Sequence, residues 1–194
     1  MAENSTMKWS ELKKLFQEAD QKELIDLLHD LYKKSVDNRR YIIARYAKEK
    51  DKSNILDAYR KKVINVYFPQ RGAASRPRYS VAKKAVNDYF KASGDIKGTM
   101  DLALALVENI MKYIHEFSGI DETSIAAGDE MMEKFSALLT TEEGKIFYPC
   151  FRERLKKLYK DSTDSIYGFY GFGDNLYDYI SNLYDFFEEN QQDK

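Results

Sequence analysis

Apolar residues recur every three or four positions along nearly the whole chain, while the alternation of a half-buried strand is almost absent. That pattern predicts an all-α protein. Leu12, Leu15, Phe16 and Ala19 make a short amphipathic turn behind a candidate cap at Ser10. Asp20 and Glu23 have the spacing of a capping box, in which each side chain accepts from the other residue's backbone N–H. Leu24, Leu27, Leu28, Leu31 and Tyr32 then share one face of a helix over 22–33. After a break near Ser35 a third segment covers 36–47. A fourth begins after Ser53, carries Ile55, Tyr59, Val63 and Val66, and ends at Pro69, because proline disfavours helical geometry in the residue before it. Ser80 is the candidate cap of a helix over 81–93, and Gly94 supplies its left-handed stop. The segment 99–117 is the most apolar and is expected at the centre, covered on several sides. Segments over 129–139, 142–160 and 175–189 complete the set; Pro149 must begin a new helix within the second of these or kink it.

Short turns between these segments predict antiparallel neighbours, and no motif recurs at a fixed period. The expected architecture is an irregular bundle of stacked antiparallel helical hairpins, α-solenoid-like, with about eight or nine helices. A chain of 194 residues, 43% hydrophobic, suffices for a single core. One helical domain over residues 1–194 is therefore expected, with 1–9 and 190–194 as frayed ends. The single cysteine excludes an internal disulfide. No apolar run approaches the roughly 18 residues of a membrane span. The N-terminus also lacks the apolar stretch of a secretory signal, so a cytoplasmic location is expected.

Charge is neutral in sum and segregated in detail. Lys and Arg total 31 against 32 Asp and Glu, a net charge of −1. Between Asp57 and Asp88, however, there is no acidic residue, and Arg60, Lys61, Lys62, Arg71, Arg76, Arg78, Lys83 and Lys84 fall in that interval. From Asp161 onward eight carboxylates face Lys194 alone. Arg71, Arg76, Arg78, Lys83 and Lys84, in and beside the loop 70–84, are candidate anion-binding residues, since a helix N-terminus next to them adds a favourable partial charge. The alternative is a solvated basic face that pairs with the acidic C-terminus, within one chain or between two. Aromatic side chains crowd the C-terminal region as well. One helix stripe takes Tyr179 and Phe187, leaving Tyr167, Phe169, Tyr170, Phe172, Tyr184 and Phe186 as candidate interface residues or as packing for other helices.

Catalytic signatures are scarce. His29 and His115 stand far apart with no second ligand at helical spacing, so no metal site is expected. Cys150 lies in the apolar stretch Ile146-Phe147-Tyr148-Pro149-Cys150-Phe151 and reads as a buried, inert thiol. The glycine-rich stretch Gly168–Gly173 follows no strand and has bulky aromatics where a nucleotide cradle needs space. Asp121, Glu122, Asp129 and Glu130 fit no calcium loop, and Asp121 also serves as a helix cap. No catalytic residue and no cofactor are expected.

The segments Tyr59-Arg60-Lys61-Lys62, Phe68-Pro69-Gln70-Arg71-Gly72 and Ala82-Lys83-Lys84-Ala85, with Gly94-Asp95-Ile96, Ser118-Gly119-Ile120-Asp121-Glu122 and the aromatic, acidic C-terminus, resemble an uncharacterised family of small bacterial helical proteins, a domain of unknown function. The likeness runs from about Leu12 to Phe187. The chain also resembles the helical-repeat region of bacterial proteins with a SWIM-type zinc finger, without that finger's Cys and His ligands. Both resemblances imply a helical scaffold of bacterial origin, and neither brings catalytic residues. The expected function is a non-enzymatic scaffold or protein-interaction domain with a protein partner or a second copy. The alternative is a binder of nucleic acid or a small phosphate-bearing ligand through the loop 70–84, with nucleic acid the less favoured of the two and no membrane involved.

Overall fold

In the computed structural model, which describes residues 7–46, 49–70, 72, 76–117, 122–163 and 172–189 (side chains of 49–52 and 188–189 excepted), the periodicity resolves into nine α-helices and no strand among the described residues. They are α1 (Trp9–Glu18), α2 (Gln21–Lys34), α3 (Val36–Tyr46), α4 (Glu49–Tyr67), α5 (Tyr79–Ser93), α6 (Ile96–Phe117), α7 (Glu122–Leu139), α8 (Tyr148–Ser162) and α9 (Phe172–Glu189); a short 3-10 turn, Lys145–Phe147, leads into α8. No described helix is long and apolar enough to cross a membrane.

The local signals act largely as their chemistry requires. Glu23 N–H donates to Asp20 Oδ1 at 2.8 Å and Asp20 N–H to Glu23 Oε2 at 3.1 Å, closing the capping box of α2. Gly94 ends α5 at φ 66°, a left-handed conformation that costs glycine little for want of a Cβ. Pro149 begins a helix rather than kinking one, as it stands in the first turn of α8, where its missing N–H is no loss. Two caps sit elsewhere than expected. Lys8 is the N-cap of α1, with Glu11 N–H bonded into the same turn, and Arg78 is that of α5. Ser10 and Ser80 lie inside the first turns instead. α7 also starts seven residues before the expected 129, because Ser124, Ile125, Ala127 and Gly128 supply buried positions ahead of Met131.

α6 is the central element. Leu102 to Val107 are all buried, joined by Ile110, Met111 and Ile114 on later turns, and α4, α5, α7 and α8 pack around it. Contacts between non-consecutive helices (α4 with α6, α3 with α5, α7 with α9) close the hairpins into a bundle. α7 and α9 approach closely at Gly128, where an added Cβ would stand 2.6 Å from a ring carbon of Phe172. Phe172 is wholly buried there. It belongs to the core, which corrects its assignment as an interface candidate: the helix begins at Phe172, three residues before the expected start, and turns the ring inward. The continuous core contains no residue before Ile43, and neither α1 nor α2 buries any residue.

Candidate functional site

Two concave regions carry charged side chains, and their electrostatics differ. The first is a cleft of about 780 Å³ between α3, α4 and the start of α5. Arg40 reaches it from α3, Lys61 and Lys62 from α4, and Arg76 and Arg78 from the segment leading into α5; Asp57 is the acidic residue on its wall. Asp37 engages Lys62 at 3.2 Å and Arg40 at 3.8 Å. Lys61, Arg76 and Arg78 have no ion-pair partner among the described residues. The first turn of α5 adds to this field, since it has no acidic residue and its N-cap side chain makes no capping hydrogen bond. Its N–H groups carry the helix's positive end. Volume and openness suit a small anionic molecule better than a buried apolar one.

The second cavity, about 1010 Å³, lies between α4, α5, α6 and α8. Arg154 on α8 forks onto Glu108, with Nε to Oε1 and Nη2 to Oε2 both at 2.7 Å, and reaches Asp101 Oδ1 with Nη1 at 2.7 Å. Asp101 also accepts from Arg60 on α4. Burial by itself would lower the Arg154 pKa, yet Glu108 and Asp101 outweigh it and hold the guanidinium above its ordinary value. Tyr89 donates to Asp95 Oδ2 at 2.5 Å, and burial followed by that carboxylate holds the phenol well above the usual tyrosine range. Arg60, Asp101, Glu108 and Arg154 pair with one another and tie α4, α6 and α8 together, while Lys97, set over the Phe147 ring, and Glu143 line the same cavity outside that network.

Cys150 lines the second cavity and is exposed, which overturns the expectation of a buried thiol. The buried stripe of α8 is Tyr148, Phe151, Leu155 and Leu158, and Cys150 lies one residue, or about 100°, off it. Cys150→Ser is therefore expected to change the unfolding free energy by less than about 0.5 kcal/mol. The native thiol is expected to react with an alkylating reagent without denaturant, and protection until unfolding would contradict this placement.

The remaining candidates divide. Arg76 and Arg78 meet in the cleft, together with Arg40, Lys61 and Lys62 from helices before the loop. Lys83 and Lys84 do not reach it; Lys83 pairs with Glu130 on α7, and Lys84 with Asp88 at 2.5 Å, which raises the Lys84 pKa through that hydrogen bond. Arg71, Tyr167, Phe169 and Tyr170 lie outside the described residues. Tyr184 is half-buried against Tyr159, and Phe186 is 41% exposed beside Phe187. Among the described residues no ion pair joins 70–84 to α9. Arg40 stands 36 residues before Arg76 in the sequence. Nothing local marks it as a neighbour of Arg76.

Fold and site define an all-α bundle with an open cationic cleft beside a self-satisfied ion network. The chain belongs to a family of unknown function, DUF6155, whose model matches residues 7–166. The match takes in α1 to α8 and every residue of the cleft, while α9 lies beyond it. No curated protein and no solved structure matches the chain.

Proposed function

We propose that this chain is a binding protein rather than a catalyst, and that its ligand is a small phosphate-bearing anion held between α3, α4 and the start of α5. The observation that carries this reading is the convergence of Lys61, Arg76 and Arg78, each without an ion-pair partner among the described residues, on one cleft beside an uncapped helix N-terminus. Two planar guanidinium groups can each donate a fork of hydrogen bonds to phosphate oxygens, and the ammonium adds a point charge. A long polyanion is a poorer fit. Lys83 and Lys84, which would extend the positive strip along α5, are neutralised by Glu130 and Asp88, and the chain as a whole has a net charge of −1.

The test is calorimetric titration with inorganic pyrophosphate and, separately, with a short duplex DNA at low and moderate salt. Pyrophosphate is expected to bind the wild type and to bind the Lys61→Ala/Arg76→Ala/Arg78→Ala variant at least tenfold more weakly, roughly the loss of one or two charge-assisted hydrogen bonds. A Lys83→Ala/Lys84→Ala variant is expected to bind as the wild type does. Absence of pyrophosphate binding would overturn the proposal. So would tight duplex binding with log K falling against log salt at a slope near −3, the signature of about three neutralised phosphates.

A further inference from the structure

The cationic cleft is larger than a bare phosphate group needs, and its two ends differ. Its volume of about 780 Å³ lies in the range that encloses a whole small molecule, roughly 300–1,000 Å³. From Asn54 to Val66, α4 lines it at three- and four-residue spacing, a single stripe about 18 Å long. Arg60 reaches Asp101 and Tyr67 packs on Tyr113, so α4 runs in the same direction as α6. α5 turns back into α6 at Gly94, and Tyr89 bonds Asp95 across that turn, so α5 is antiparallel to both. The start of α5 therefore stands at the C-terminal end of the α4 stripe, and Arg76 and Arg78 enter the cleft there. Lys62 and Arg40 share Asp37 as a partner, which keeps Arg40 in the same half. The opposite end of the stripe carries Asn54, Asp57 and Ala58, with no cation among the described lining residues.

We infer that the anion held in this cleft is a sugar phosphate, its phosphate among Lys61, Arg76 and Arg78 and its hydroxyl groups donating to Asp57 and Asn54. The inference rests on the phosphate-binding reading of the same cleft and adds the class of molecule. Asp57 has no ion-pair partner among the described residues. An ionised carboxylate only accepts, and its two oxygens take two hydroxyls at once, while the Asn54 amide both accepts and donates. Lys61 follows Asp57 by four residues, one helix turn or about 6 Å along the axis, which a single sugar ring bridges. Ala58 lies between them on the stripe and offers the carbon face of that ring an apolar contact. The donors are hydroxyls rather than an ammonium. Arg40, Lys61, Lys62, Arg76 and Arg78 line the cleft against Asp57 alone, and that field repels a further positive charge. A nucleotide base finds no aromatic ring to stack on among the described lining residues, and the two guanidinium groups that could replace one are taken by the phosphate.

The experiment is calorimetric titration of the full chain with ribose 5-phosphate, inorganic phosphate and adenosine 5′-monophosphate, repeated on Asp57→Ala. The wild type is expected to bind ribose 5-phosphate about tenfold more tightly than inorganic phosphate, the worth of one hydrogen bond to a charged group. Asp57→Ala is expected to move the two in opposite directions. Ribose 5-phosphate loses about tenfold, whereas inorganic phosphate gains, because a repelling carboxylate is gone. Asp57 is exposed on α4, so the urea midpoint of the variant is expected to match the wild type. Equal wild-type affinities for ribose 5-phosphate and inorganic phosphate, with pyrophosphate still bound, would overturn the sugar assignment and leave the anion site standing. Equal losses for both phosphates in Asp57→Ala would overturn it as well. Adenosine 5′-monophosphate bound more than about tenfold tighter than ribose 5-phosphate would make the base the recognised part and overturn it too. A chain that binds neither pyrophosphate nor any of the three would remove both readings of the cleft.

Discussion

Phe172→Ala is expected to lower the unfolding free energy by about 3–5 kcal/mol, with a fall in Tm of roughly 10 °C or more for a chain of this size. The ring is fully buried at the N-terminal end of α9, in a space on α7 that exists because residue 128 has no side chain. Removing it discards most of an aromatic side chain's transfer free energy and leaves a void that the two helices cannot close. A double-mutant cycle with Gly128 sharpens the expectation. Gly128→Ala in the wild type drives a Cβ to 2.6 and 2.7 Å from Phe172 ring carbons and 3.1 Å from Ile110 Cδ1, an overpacking worth about 1–3 kcal/mol. With Phe172→Ala present most of that clash disappears, and alanine's better helix propensity offsets part of the remainder. Urea denaturation of the four proteins is thus expected to show strong non-additivity. Additive losses, or a Phe172→Ala protein as stable as the wild type, would place the ring outside the core.

Arg154→Met is expected to cost roughly 2–3 kcal/mol, somewhat under the 3–5 typical of breaking a fully buried pair, because the Arg154 side chain is 28% exposed. The loss has a definite structural origin. Arg154 is the member of the network that bridges α8 to α6; without it Glu108 loses both oxygens' partners, while Asp101 keeps only Arg60. Arg154→Lys is expected to recover part of the stability, since an ammonium restores the charge but not the two-pronged contact with Glu108. Arg154→Met combined with Glu108→Leu is expected to recover more, as it removes the stranded carboxylate as well. The readout is the urea midpoint at constant m value. A midpoint within 0.5 kcal/mol of the wild type for Arg154→Met would show that water compensates these carboxylates fully.

These expectations bear unequally on what the sequence makes visible. Asp101 and Glu108 are seven residues apart on the most apolar helix, hence on one face, and charges on such a helix require a partner. That signal is local and readable. Its counterpart Arg154 is not: it lies 46 residues beyond Glu108 on a helix with cations on several faces. Cys150 shows the same limit. An apolar neighbourhood in sequence suggested burial, but the period of α8 turned Phe151 inward and left the thiol one position off the buried stripe.

The all-α class, the central position of α6, the capping box of α2, the left-handed stop at Gly94 and the new helix at Pro149 all follow from the sequence by itself. Each depends on interactions between residues three or four apart, which any helix must satisfy before it packs. The cleft is different. Arg40, Lys61, Arg76 and Arg78 come from two helices and the segment entering a third, and they become one electrostatic site only when α3 and α4 lie against α5. Lys83 and Lys84, equally basic in sequence, are withdrawn from that site by Glu130 and Asp88. Apart from Lys84, whose partner Asp88 stands four residues on along α5, tertiary structure decided which cations stayed without partners, because ion pairing falls off within a few ångströms and only packing sets distances between helices.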